Sequence, residues 1–237
     1  MERLRQLFRI SLLLSVLLTV TTEAWADNGA YAELSNNTLT FKYGPYTPSS
    51  TSCWAVSQSS WSSTDDVPWA ASRTVIYYVI FDSSFSQFKP QSCANWFYGC
   101  NSLMSISDIN NLDTSQTTDM SSMFYDCSSL VSLDLSSFNT SQVTNMGSMF
   151  YGCSSLESLD LSSFDTSQVT YMYYMFSRCS SLRELDFGSS ATTNVTYFSG
   201  IFNQVNENLV FYYKDITKQY RIVSTIHSYF NFITTCE

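Results

Sequence analysis

Three aspartates, Asp134, Asp160 and Asp186, recur at intervals of 26 residues in the phrases LDL, LDL and LDF, and these are the residues best placed to do chemistry. Carboxylates at a fixed repeat become a ladder when the repeats stack. A ladder of that kind can bind a cation or a partner, and two carboxylates could serve as the acid and base of glycoside hydrolysis. Ser132, Ser158 and Glu184 stand two positions before the aspartates and share their expected face. Nothing in the sequence selects one carboxylate pair, so an enzyme is not expected. The sole histidine is His227, the seven glycines do not cluster, and no C-x-x-C pair occurs. These absences leave no Ser-His-Asp or Cys-His mechanism, no phosphate-binding loop and no metal-site spacing, and no cofactor is implied.

The elements that would position the ladder come from one phrase repeated three times between Met120 and Phe187. Cys127, Cys153 and Cys179 are 26 residues apart, as are Met120, Met146 and Met172. Within a unit, Met146, Met149, Phe150 and Cys153 fall at i, i+3, i+4 and i+7, the stripe of one helix face. Leu156, Leu159, Leu161 and Phe164 then read L-x-x-L-x-L-x-x-F, the leucine-rich-repeat strand phrase. The same stripe recurs at Cys93, Trp96, Phe97 and Cys100 and at Phe198, Ile201, Phe202 and Val205, so five units start at 93, 120, 146, 172 and 198. The first has 27 residues and so one extra position. One unit cannot bury its own apolar face, so the expectation is an α/β repeat: a leucine-rich-repeat solenoid with one short parallel strand and one short helix per coil. Cys93, Cys100, Cys127, Cys153 and Cys179 fall on the inward stripe and read as small core hydrophobes, which leaves Cys53 and Cys236 without a role.

Residues 1–26 read as a signal peptide, with Arg3, Arg5 and Arg9, an 11-residue apolar run from Ile10 to Val20, and Ala24-Trp25-Ala26 as cleavage site. Residues 27–73 read as an N-terminal β cap: a hairpin of Tyr31–Leu34 and Thr38–Tyr43, then a loop from Gly44 to Ser63, with Trp54, Trp61 and Trp69 closing the open end of the array or forming a ligand platform. The repeat array spans 74–213, and 214–237 is a C-terminal cap or tail in which Ile222, Val223, Ile226, Tyr229, Phe230 and Ile233 keep a helical spacing. The mature chain shows no membrane span. Cleavage removes three of the 11 basic and two of the 20 acidic residues and leaves a net charge of −10, which argues against nucleic acid as partner. Tyr98, Tyr125 and Tyr151 form a second ladder, with Tyr171, Tyr173 and Tyr174 nearby; such rows stack on sugars, bury in interfaces or rim a core.

The segment MFYGCSSLESLDLSSFDTSQVTYM is similar to the repeat of BspA-type leucine-rich-repeat surface proteins, exported proteins found mainly in host-associated bacteria and some protozoa. VIFDSSF followed by ANWFYGCNSL resembles that family's lead-in to its array, and AYAELSNNTLTFKY its N-terminal hairpin. The resemblance covers about residues 30–213 and ends before Thr217–Glu237. It implies a secreted or cell-surface, non-enzymatic protein that adheres to an extracellular protein or cell-surface macromolecule through its repeats. Ser132, Asp134, Ser158, Asp160, Glu184 and Asp186 are the candidate contact residues. Glycan binding through Tyr and Trp is the alternative, and a carboxylate-dependent hydrolase a more distant one. Oligomeric state and means of surface attachment stay open.

Overall fold

The computed structural model describes residues 28–45, 52–56, 61, 63–188, 194–215 and 218–223. Nine strands occur among the described residues. β1 (Asn28–Ser35) and β2 (Thr38–Pro45) form an antiparallel hairpin. Its two-residue turn, Asn36-Asn37, has φ of 49° and 63°, the left-handed pair that a type I′ turn requires and asparagine tolerates. β3 (Cys53–Ala55) pairs antiparallel with β1, so the expected loop from Gly44 to Ser63 contains an edge strand. β4 (Tyr78–Phe81) lies parallel to β2, and β5 (Ser105–Ser107) parallel to β4, giving a five-stranded mixed sheet in the order β3-β1-β2-β4-β5. A second sheet, in the order β6-β7-β8-β9, holds β6 (Ser158–Asp160), β7 (Glu184–Asp186), β8 (Val210–Asp215) and β9 (Lys218–Val223).

The expected leucine-rich-repeat solenoid, with a helix and a strand in every coil, is not what forms. No α-helix occurs among the described residues; the helical segments are short 3₁₀ turns at Thr64–Asp66, Ala70–Val75, Ser83–Gln87 and Ile109–Asn111. Residues 131–135 make no strand, so the sheet is broken in two between β5 and β6. The C-terminal helical spacing also fails at its start, because Ile222 and Val223 belong to β9, which pairs antiparallel with β8. Positions 224–237, including His227 and Cys236, and residues 1–26, where a signal peptide was expected, lie outside the described residues.

Where a helix was expected, each unit runs through two tight turns whose backbone partners alternate. Trp96, Tyr98 and Cys100 donate to Cys93, Asn95 and Phe97, three residues back in the same unit. Cys93, Asn95, Phe97 and Gly99 donate instead to Asp119, Ser121, Met123 and Tyr125 of the next unit, at 2.7–3.1 Å. The pattern repeats with Met120, Ser122, Phe124 and Asp126 bonding Asn145, Gly147, Met149 and Tyr151, and again at the two following junctions. An α-helix would send every N–H to a carbonyl four residues back and leave none for a neighbour. Two left-handed residues per unit, four apart, make the alternation possible: Asn95 and Gly99, Ser122 and Asp126, Ser148 and Gly152, Tyr174 and Arg178, Gly200 and Gln204, with φ between 53° and 72°. Each non-glycine residue there costs about 1–2 kcal/mol. Four hydrogen bonds per junction, each worth about 0.5–1.5 kcal/mol net, are of the right size to offset it.

Because every unit turns the same way, the inward side chains stack. Phe97, Phe124, Phe150, Phe176 and Phe202 form a column with centroids 5.6–5.8 Å apart. Cys127, Cys153 and Cys179 are buried, each donating its thiol to the carbonyl of Phe97, Phe124 or Phe150 in the preceding unit at 3.1–3.2 Å. Burial pushes the Cys93, Cys100 and Cys179 thiols up to about 12, so they stay protonated hydrophobes. The N-terminal segment shares this core: Phe41 stacks on Trp96 at 5.3 Å, and the buried Trp69 donates its indole N–H to the Trp96 carbonyl at 2.7 Å. Trp54 and Trp61 pack, partly buried, against the same cluster.

Two outcomes test this backbone. Far-ultraviolet circular dichroism of the folded protein should show strand and turn signal without the double minimum of α-helix. Phe150→Ala should lower stability in urea by about 3–5 kcal/mol, since it empties the middle of the aromatic column; a cost below about 1 kcal/mol would mean the column does not hold the units together.

Candidate functional site

The strand face gathers the residues expected there. Ser158 pairs with Glu184 and Asp160 with Asp186 in the parallel register of β6 and β7. Ser158, Asp160 and Glu184 are exposed and Asp186 is half-buried, whereas Leu159 and Leu185 between them point into the core. Ser132 and Asp134 are exposed too, but on the unpaired segment 131–135. The structure therefore brings four of the six into register and leaves two beside them.

The aspartates have a local duty that was not expected of them. Asp134 Oδ1 accepts the backbone N–H of Ser136 at 3.0 Å, Asp160 that of Ser162 at 2.8 Å and Asp186 that of Gly188 at 2.8 Å. Asp82 accepts from Ser84 in the same way at 2.9 Å. Each closes an Asx turn, those of Asp82, Asp160 and Asp186 at the ends of β4, β6 and β7 and that of Asp134 at the equivalent place in the unpaired segment. The signal was present in the sequence as Asp two residues before Ser or Gly. The hydrogen bonds from Ser136 hold the Asp134 carboxyl below the usual carboxylate range. A lowered folded pKa stabilises the protein above that range, and the contribution is lost as pH falls through it.

The tyrosine ladder is a closed stack. Tyr98, Tyr125 and Tyr151 lie face to face at 4.5 and 4.4 Å. Arg73 sits 5.4 Å over the outer face of the column at Tyr98, and Arg178 sits 5.4 Å from the Tyr151 ring. With ring on ring and a guanidinium at either end, the column offers edges and hydroxyls, while a sugar needs an open ring face. Burial, then the neighbouring Tyr151, raises the Tyr125 hydroxyl to about 12. Tyr171 and Tyr197 make a second pair at 4.7 Å and are exposed. Asp126 lies over Gly152, where an added Cβ would collide with its Oδ1. Burial raises the Asp126 carboxyl, and Arg178 opposes the shift.

A third feature was missed. Val75, Tyr77, Tyr78, Ile80, Met104 and Val131 are exposed apolar residues, all at the β4 and β5 end of the strand face or beside it. The strand phrase YYVIF is apolar on both sides, a pattern that suggests burial on both sides. Val79 and Phe81 are buried, and the opposite side is not.

Among the described residues, no group of three or more His, Cys, Asp or Glu could hold a metal ion, and no helix is long and apolar enough to cross a membrane. The architecture is that of a strand-and-turn repeat protein whose exposed side chains form rows. Residues 91–211, just over half of the chain and beginning at the first turn unit, match the family described as "Mycoplasma protein of unknown function, DUF285", and the chain belongs to that family. No curated protein and no solved structure matches it.

Arg178→Ala removes the one attraction holding the Asp126 carboxyl down, so its titration midpoint, followed by carbon-13 NMR, should rise further above the ordinary range. An unchanged midpoint would place the guanidinium elsewhere in solution.

Proposed function

We propose that this chain is an exported, non-enzymatic binding protein of the BspA type, adhering to an extracellular protein or cell-surface macromolecule through its exposed strand face. The observation that carries this reading is the in-register row of polar side chains, Ser158 beside Glu184 and Asp160 beside Asp186, held outward by the buried Leu159 and Leu185 between them. A row fixed by backbone pairing is rigid before a partner arrives, which lowers the entropy lost on binding. The leader-like segment 1–26 and the similarity of the repeat phrase to BspA-type proteins support export and adhesion. Glycan binding, the second reading, rests on Tyr171 and Tyr197, because the faces of Tyr98, Tyr125 and Tyr151 are occupied. The hydrolase reading is weaker, since Asp160 and Asp186 each commit an oxygen to a turn N–H.

Purified protein from Asp27 onward, screened against immobilised matrix proteins, whole cells and a glycan array, tests the reading. Retention on a protein or cell surface, without glycan cleavage, is expected. The double substitution Asp134→Asn with Asp160→Asn should weaken that retention about 3- to 10-fold, roughly the effect of rim charges. The thermal midpoint should stay within a few degrees, because asparagine keeps the turn-closing oxygen. Unchanged retention in the double variant would remove the strand face as the contact.

A further inference from the structure

The strand face has two chemically different ends. At one end, Tyr78 lies opposite Ser105 and Ile80 opposite Ser107 in the register of β4 and β5, and the Met104 N–H donates to the Tyr77 carbonyl at 2.9 Å. These bonds set Tyr77, Tyr78, Ile80 and Met104 side by side. Val131 follows Met104 at the 27-residue spacing of the first unit, and its carbonyl accepts from Glu157, whose carbonyl accepts from Arg183. Met104 and Val131 are 51% and 52% exposed, against 0% for Val79 on the inner side of the same sheet. The polar end carries Asp134, Glu157, Asp160, Glu184 and Asp186, five carboxylates against the one guanidinium of Arg183. β4 and β7 are four repeats apart, counting the unpaired segment 131–135 as one, about 19 Å at ~4.8 Å per repeat, or the length of roughly six residues of extended chain.

Resting on the reading of the chain as a binding protein, we propose that the apolar end, Tyr77, Tyr78, Ile80, Met104 and Val131, is the docking surface for an extended protein segment whose apolar side chains are followed by lysine or arginine. Apolar side chains on an otherwise polar face supply the buried contact that dominates binding energy, and the carboxylates supply steering and orientation. Charge complementarity selects the occupant. A second copy of this chain brings a net charge of −9 and the same carboxylates to the contact. An anionic lipid surface opposes them in the same way. A basic flank running on from the apolar anchor instead meets Asp134 beside Val131, then Glu157 and Asp160 at β6, and reaches Glu184 and Asp186 on β7 within about six extended residues.

Fluorescence anisotropy with a labelled twelve-residue peptide, four alternating Leu and Tyr followed by four Lys with Gly-Ser at each end, provides the test. The full chain should bind it at least tenfold more tightly than the same peptide with Glu in place of Lys at low salt, and the difference should shrink as salt is added. Ile80→Asp with Met104→Asp should reduce binding at least tenfold. Both side chains are exposed, so the circular dichroism and thermal midpoint of that variant should stay close to those of the parent, and a milder Met104→Ser variant should show a smaller loss in the same direction. Equal binding of both peptides, undiminished binding by the Asp variant, or a dimer in sedimentation that Ile80→Asp dissolves would each overturn the proposal, the last by naming a second copy as occupant. Retention on cells that survives Ile80→Asp with Met104→Asp but falls with Asp134→Asn and Asp160→Asn would overturn the proposal and leave adhesion standing. Peptide binding by a chain that no matrix protein or cell retains would sustain the docking surface and remove adhesion.

Discussion

The structure depends on a parity rule in the backbone. In the turn segments, alternate N–H groups close a turn within their own unit and alternate N–H groups cross to the next. Left-handed residues at Asn95 and Gly99 and at their equivalents enforce that alternation, since each reverses the chain before a helical hydrogen bond can form. The phenylalanine column, the thiol-to-carbonyl bonds and the tyrosine column all follow from it. Four bonds at one junction fix both the rise and the rotation of the next unit, so a side chain at a given position meets its own counterpart above and below.

The period and the inward residues were legible in the sequence, and the backbone that carries them was not. Met146, Met149, Phe150 and Cys153 are all fully buried, as their stripe implied. Their i, i+3, i+4, i+7 spacing, however, is shared by one face of a helix and by two successive turns of about four residues, and periodicity reports side-chain phase without naming the hydrogen-bond partner. The discriminating residues were Asn95, Gly99, Asp126, Gly152 and Gly200, types that tolerate positive φ, but Tyr174 and Arg178 occupy the same places and mask the signal. The break at 131–135 was hidden in a similar way. Its phrase VSLDL matches ESLDL at 157–161, yet Leu133 is only half-buried where Leu159 is buried. It follows the unit with the extra residue, Asp108, whose φ of 56° turns the chain immediately after β5.

The strand face was half legible. The aspartate row could be read from its 26-residue spacing, and the pairing of Asp160 with Asp186 is in that register. Its turn-closing role lay in the short-range pattern Asp-x-Ser, which long-range periodicity overlooks. The apolar end was illegible because a strand apolar on both sides looks the same whether its second side is covered by its own chain or left for something else. Only relative positions in space separate the two cases.

The tyrosine column between Arg73 and Arg178 has a consequence for how such an array can change length. Its chemistry is terminated at both ends by side chains that belong to the flanking units, while the repeated middle presents the same donors and acceptors above and below. A duplicated unit placed between residues 145 and 146 would meet matching partners on both sides and would lengthen the column by one ring without uncovering a ring face. Height is thus a heritable variable that gene duplication can tune, with the terminating chemistry held constant. A population of such genes could vary the reach of the molecule without redesigning either end.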